Sequence, residues 1–115
     1  MRNLVKVLKA LSDKNRLRIL KMLQAKKMCV CELASALGIT QPSVSRHLGI
    51  LKSAGLVRDR KSGQWIEYAL CTRPDNQYVR IMLRHLRAWA NDDGCVKKDM
   101  AVIKTLSRET ICRKK

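Results

Sequence analysis

Two kinds of chemistry share one stretch of this chain, residues 28–57, which reads MCVCELASALGITQPSVSRHLGILKSAGLV. The first is a thiol pair, Cys29 and Cys31, separated only by Val30. Thiolates are soft donors suited to thiophilic ions, and they also react with oxidants. Side chains two residues apart diverge by ~200° on a regular helix but point to one side of an extended segment. Bonding one ion with both sulfurs is therefore expected to unwind or distort the first turn of a helix that starts near Val30. The second chemistry is hydrogen bonding from a helix face. Arg46 offers a fork suited to guanine, and Ser43 and Ser45 add short hydroxyls for base edges or phosphates.

Those groups need a scaffold, and its spacing is present. Ala34, Gly38 four residues on and Val44 six further, with Leu33, Leu37, Leu48 and Leu51 as apolar positions, have helix-turn-helix spacing. Ala34 permits a close helix crossing, and Gly38 can take the positive φ that ends the first helix. Thr40 is the expected N-cap of the second helix, residues 41–54, with Pro42 in its first turn and Gly55 just past its end. At about 100° per residue Val44, Leu48 and Leu51 share one face and Arg46, Gly49 and Ser53 the opposite one. That outer face is small, polar and cationic, as a helix entering a major groove requires.

Before this unit, residues 3–11 and 15–24 have helical apolar spacing, with Ser12 and Asp13 offering cap oxygens between them. After it the period changes to two. Residues 56–60 and 65–70 flank a turn at 61–64 and predict a β-hairpin, with Arg60, Lys61 and Gln64 at its tip. A basic hairpin directly after a reading helix is placed to touch backbone or the neighbouring minor groove. Residues 78–90 form a helix with too many hydrophobes for one narrow stripe, so with the 3–11 helix they are assigned to a homodimer interface. Residues 91–94 break that helix, 98–106 predict a short last helix, and 108–115 read as a basic, disordered tail. The fold class is mainly α with a β-hairpin wing, a winged helix-turn-helix in a single domain over residues 1–115.

Composition agrees. Twenty-five Lys and Arg against nine Asp and Glu give a formal charge of +16, a field that attracts polyanions, nucleic acid first among them. No apolar run approaches the ~18 residues that span a bilayer, and no signal-peptide pattern opens the chain. A cytoplasmic protein without membrane partner is expected. Five cysteines, Cys29, Cys31, Cys71, Cys95 and Cys112, are an odd set that suits free thiols in a reducing compartment.

The motifs ALSDKNRLRIL, MCVCEL, QPSVSRHLGILKSAGLV and DRKSGQWIEYAL, within residues 8–70, resemble the ArsR/SmtB metal-responsive repressors, and among them the arsenic-responsive type. The resemblance implies a winged helix-turn-helix homodimer on operator DNA, repressing a resistance operon until a thiophilic ion, As(III) as arsenite, binds as inducer. It places Gln41, Ser43, Ser45, Arg46 and His47 on the DNA-reading helix and makes Cys29 and Cys31 ligands. Arsenic-responsive members often carry a third cysteine where this chain has Ala34, which leaves Cys71, Cys95 or Cys112 for a third ligand. The zinc-sensing arrangement on the dimer helix is missing, since that helix offers only His85. Cadmium and lead sensors with the same pair add N-terminal cysteines, and none precedes Cys29 here.

Two other readings stay open: a cadmium- or lead-responsive repressor, and a repressor whose thiols sense oxidants or reactive sulfur without metal. An enzyme is not expected. Thiol oxidoreductases use C-x-x-C in a βαβ setting, and no Ser-His-Asp set, nucleotide loop or paired carboxylates are visible, so no catalytic cofactor is called for.

Overall fold

The chain folds because short polar side chains start its helices and one apolar cluster gathers them. The computed structural model describes residues 1–106. The expected tail at 108–115, and Cys112 within it, lie outside the described residues. Six helices, α1 (Arg2–Leu11), α2 (Lys14–Ala25), α3 (Val30–Leu37), α4 (Gln41–Ser53), α5 (Gln77–Leu86) and α6 (Gly94–Ile103), are joined by strands β1 (Met28–Cys29), β2 (Val57–Ser62) and β3 (Trp65–Leu70). The sheet is antiparallel in the order β1-β3-β2. This is the expected winged helix-turn-helix, with β2 and β3 as the wing.

Caps set the helix starts. The Asp13 carboxylate accepts from the Arg16 N–H at 3.1 Å, Thr40 Oγ1 from Ser43 N–H at 3.3 Å, and Asn76 Oδ1 from Tyr78 N–H at 2.8 Å. Between the helices Val7, Ile19, Leu20, Met22, Leu33, Val44, Leu48, Leu51, Leu56 and Val79 are fully buried. At about 1.5–3 kcal/mol per buried apolar side chain, this cluster outweighs any single cap.

Three boundaries and one added strand differ from the sequence reading. Helix α3 starts at Val30 as expected, and Met28 and Cys29 before it are extended because their backbones pair with Tyr68 and Glu67 of β3. The hairpin loop is shorter than expected: Ser62 pairs with Trp65, so Lys61 belongs to β2 and the loop is Gly63–Gln64 alone. Gly63 has φ 61° at the first loop position, where a II′ turn needs glycine. Helix α5 stops at Leu86, short of residue 90, because the buried Lys21 Nζ reaches across to donate to Leu86 O at 2.8 Å and Asn91 Oδ1 at 2.7 Å. A cation there suits the helix's negative end, although burial pushes the Lys21 ammonium below its ordinary pKa. Helix α6 begins at Gly94, four residues before the expected 98, since Asp93 Oδ1 accepts from Cys95 and Val96 N–H. Asp99 then anchors it to α2 through a bidentate pair with Arg18, both bonds 2.8 Å.

Among the described residues no helix is long and apolar enough to cross a membrane.

The Asp13 carboxyl is held below its ordinary pKa first by the Arg16 N–H bond, against some desolvation, and further by the Arg16 charge. Its folded-state value is thus the lower one, and its stabilisation is present above the unfolded value of ~3.9 and lost as pH falls through the folded value. Asp13→Ala is expected to lower stability by about 1 kcal/mol near neutral pH. Thermal melts from pH 7 downward should show the gap between variant and parent closing as the carboxylate protonates.

Candidate nucleic-acid interface and thiol site

The angle between α3 and α4 decides which side chains face outward. Gly38, at φ 71°, ends α3, and its N–H donates to Ala34 O at 2.9 Å. Buried Ala34 and Leu37 then lie in one core with Val44, Leu48 and Leu51 of α4. The opposite face of α4 leaves Gln41, Ser45, Arg46 and Gly49 exposed. At its far end Gly55, φ 83°, closes the helix: Leu56 N–H donates to Leu51 O and Gly55 N–H to Lys52 O, both at 3.0 Å. Lys52 Nζ, 2.9 Å from Asp59 Oδ2, ties that end to β2 and so fixes the wing relative to α4.

Two of the expected reading residues have structural commitments. Ser43 Oγ accepts from the Thr40 hydroxyl at 3.0 Å, so its side chain belongs to the cap. His47 is half-buried, with Nδ1 3.2 Å from Arg16 Nη1. Arginine can only donate, so Nδ1 accepts and a neutral ring carries its proton on Nε2. Arg16 also donates to Ala10 O and Lys9 O at 2.8 and 3.1 Å, joining the end of α1 to the reading helix. On the wing Arg60, Lys61 and Gln64 are exposed, with Arg60 3.5 Å from Glu67.

The structure adds two cations of α1 to the reading face. Lys6 and Lys9 line a groove of about 400 Å³ together with Arg46, Gly49, Ile50 and Ser53. Nothing in the local pattern of α1 shows this, because the neighbourhood is created by its packing near α4.

At the start of α3, Cys29 is the extended N-cap (φ −93°, ψ 169°) and only 2% exposed. Its sulfur accepts from the Glu32 N–H, and Glu32 Oε1 accepts from the Cys29 N–H at 2.9 Å. This is a capping box with cysteine in the place of serine. Cys31, one residue into the helix, brings its sulfur within 3.2 Å of Cys29 Sγ. The expected ~200° divergence does not arise, because Cys29 precedes the helix, and no unwinding is needed to bring the two sulfurs together. Two adjacent soft sulfurs fit a thiophilic ion. Among the described residues no group of three His, Cys, Asp or Glu side chains is placed to hold a metal. Cys71 lies just past β3 and Cys95 near the start of α6, so the structure does not gather either with the pair into such a group.

A helix-turn-helix with an exposed cationic reading face and a basic wing defines a DNA-binding regulator. Residues 13–59 match the family described as "Bacterial regulatory protein, arsR family". The chain is 35% identical over 106 residues to the arsenical resistance operon repressor of Escherichia coli K12, covering 91% of this chain and 86% of that one. Among solved structures it is similar to HlyU from Vibrio cholerae, at 35% identity and TM-score 0.65, covering 77% of this chain and 92% of that chain. It is also similar to the homodimeric winged helix-turn-helix DNA-binding domain of Mb0332 from Mycobacterium bovis, at 28% identity and TM-score 0.65, covering 79% and 81%. The chain belongs to the arsR family of bacterial regulatory proteins. It is a transcriptional repressor of that family and not an enzyme.

The turn between α3 and α4 can be tested against the reading helix itself. A Cβ at Gly38 meets nothing within 4 Å, so Gly38→Ala isolates the backbone penalty of φ 71° and should cost about 1–2 kcal/mol. Gly49 has equal space but sits inside α4, where Gly49→Ala should gain about 0.5–1 kcal/mol. Urea denaturation of both variants checks the opposite signs.

Proposed function

We propose that this chain represses an arsenic-resistance operon by binding operator DNA as a homodimer in the cytoplasm, and releases it when arsenite bonds to Cys29 and Cys31. The observation that carries this reading is the 3.2 Å approach of the two sulfurs at the first turn of α3, the helix that shares its core with the reading helix. Similarity to the Escherichia coli arsenical repressor supports arsenic as the inducer. Exposed Val5 and Leu8 on α1, Ile81 on α5 and Trp89 beyond it supply the apolar surface for a second copy, in line with the homodimeric Mycobacterium bovis domain.

In this reading Gln41, Ser45 and Arg46 meet base edges. Ser43 and His47 hold the helix start and its link to Arg16, while Arg60, Lys61 and Gln64 reach backbone or minor groove. Arsenite supplies a soft, pyramidal centre that bonds to thiolates on one side. Arsenite bonds to the thiolate form of cysteine, so protons compete with it and inducer affinity falls at low pH. Turning the Cys29 sulfur toward the ion re-aims it away from the Glu32 N–H and so weakens a cap of α3. A helix cap is worth about 0.5–2 kcal/mol, enough for a several-fold shift in DNA affinity if only the DNA-bound state needs it.

Cys29→Ser and Cys31→Ser should each retain operator binding and lose arsenite release in a mobility-shift assay. Single replacements of Cys71, Cys95 and Cys112 show whether one of them completes a three-thiol site. Parallel lanes with cadmium, lead or peroxide read the other inducers directly. If the double variant lets go of DNA at the parent's arsenite concentration, the sensing site is elsewhere.

For the DNA contacts, Arg46→Ala should cost about 1–3 kcal/mol on operator and relax one base position. Lys61→Ala should weaken all sequences evenly and make the salt dependence shallower. Competition against scrambled duplex separates these; an even loss for Arg46→Ala would reassign it to phosphate contact.

A further inference from the structure

Away from the reading face, the end of α2, the root of the hairpin and one face of α5 enclose a cavity of about 480 Å³. Lys26, Lys27, Arg58, Arg80, Arg84 and Arg87 all line it, and among the described residues no Asp or Glu does. Elsewhere in this fold Arg18 has Asp99, Lys52 has Asp59, Arg60 has Glu67, and buried Lys21 has two oxygen acceptors. Here six cations converge with no carboxylate among the described lining residues.

A second observation concerns hydrogen bonds. Arg58 Nε and Gln24 Nε2, both in residues that line this cavity, are buried and have no partner among the described residues. An unsatisfied buried donor costs about 1–3 kcal/mol, and more when it is charged. An acceptor-rich anion would satisfy the donors and offset the mutual repulsion at once.

We propose that this cavity binds a small oxyanion of the phosphate class, either free phosphate or a phosphorylated small molecule. Several oxygens on one centre match forked guanidinium donors in a way a halide does not. The volume falls within the ~300–1,000 Å³ usual for small-ligand sites, and Leu23, Leu70 and Leu83 give it an apolar floor. At about 100° per residue Arg80, Arg84 and the C-cap Arg87 share a face that does not include exposed Ile81, so a second copy docked on Ile81 leaves the cavity open. The wing tip is also remote. Arg58 and its partner Ala69 stand at the hairpin root, and Gly63 is five residues along, about 16 Å away. DNA held by that tip does not fill the cavity.

Cys71 lines the cavity and reports on it. Inorganic phosphate is titrated into the full chain at constant ionic strength maintained with chloride, and alkylation of each cysteine is followed by mass spectrometry. Phosphate at about ten times its Kd leaves about one cavity in eleven open, so Cys71 alkylation should slow about tenfold. Cys95, outside the cavity, should react unchanged. Arg58→Met and Arg84→Gln should each abolish the protection, and Lys61→Gln on the wing should keep it. Arg84 is exposed, so its variant decides the matter even if Arg58→Met fails to fold. Absence of slowing at about 10 mM phosphate overturns the proposal. So does equal slowing at Cys95, or protection that survives in Arg84→Gln. Protection by duplex DNA but not by phosphate would make the cavity a nucleic-acid contact, and also overturns it.

Discussion

Ala34 brings α3 and α4 together, Gly38 turns the chain between them, and Leu33, Leu37, Val44, Leu48 and Leu51 are sealed in the core. Every outward group depends on that seal. The exposure of Arg46 follows from the burial of Val44 and Leu48, because a helix cannot turn one face inward without presenting the other. Five such residues contribute far more than the hydrogen bonds at either helix end, so the crossing is the rigid part of the molecule and the caps are its adjustable part.

Long-range polar contacts attach the outer elements to this centre. Arg18 holds α6 through Asp99, Lys21 holds the end of α5, and Arg16 joins α1 to His47 on α4. All three cations come from α2, which makes that helix the hub of the fold. A strongly basic chain must place its charges with care. Arg16, Arg18 and Lys21 are spent on carbonyls, a carboxylate, an amide oxygen and an imidazole, while Arg46, Arg60 and Lys61 stay in solvent.

What was legible in the sequence was local. Thr40 as cap, Gly38 and Gly55 as helix ends, and the apolar face of α4 all follow from residues within a few positions of one another. The early end of α5 and the anchoring of α6 have distant causes. Helix α5 stops early because of a lysine 65 residues back, and α6 is anchored by an arginine 81 residues away. The extended Met28–Cys29 needs a partner strand near residue 68, which no window around the thiols contains. The approach of the two sulfurs was hidden for the same reason: helical spacing applied to Cys29 gives the wrong direction once β1 removes it from the helix.

That two-residue strand gives the thiol pair a second mechanical neighbour. Cys29 lies across from Glu67, and Glu67 lies across from Arg60, so one ladder runs from the sulfur-bearing backbone to a cation of the wing. The ladder is unevenly fastened. Met28 is locked by a fully buried side chain, whereas Cys29 is the terminal residue of its strand and also the first support of α3. A displacement at Cys29 therefore pivots about Met28 like a short crank, with the wing on one arm and the α3–α4 pair on the other. The two surfaces proposed to meet DNA are geared to a single residue.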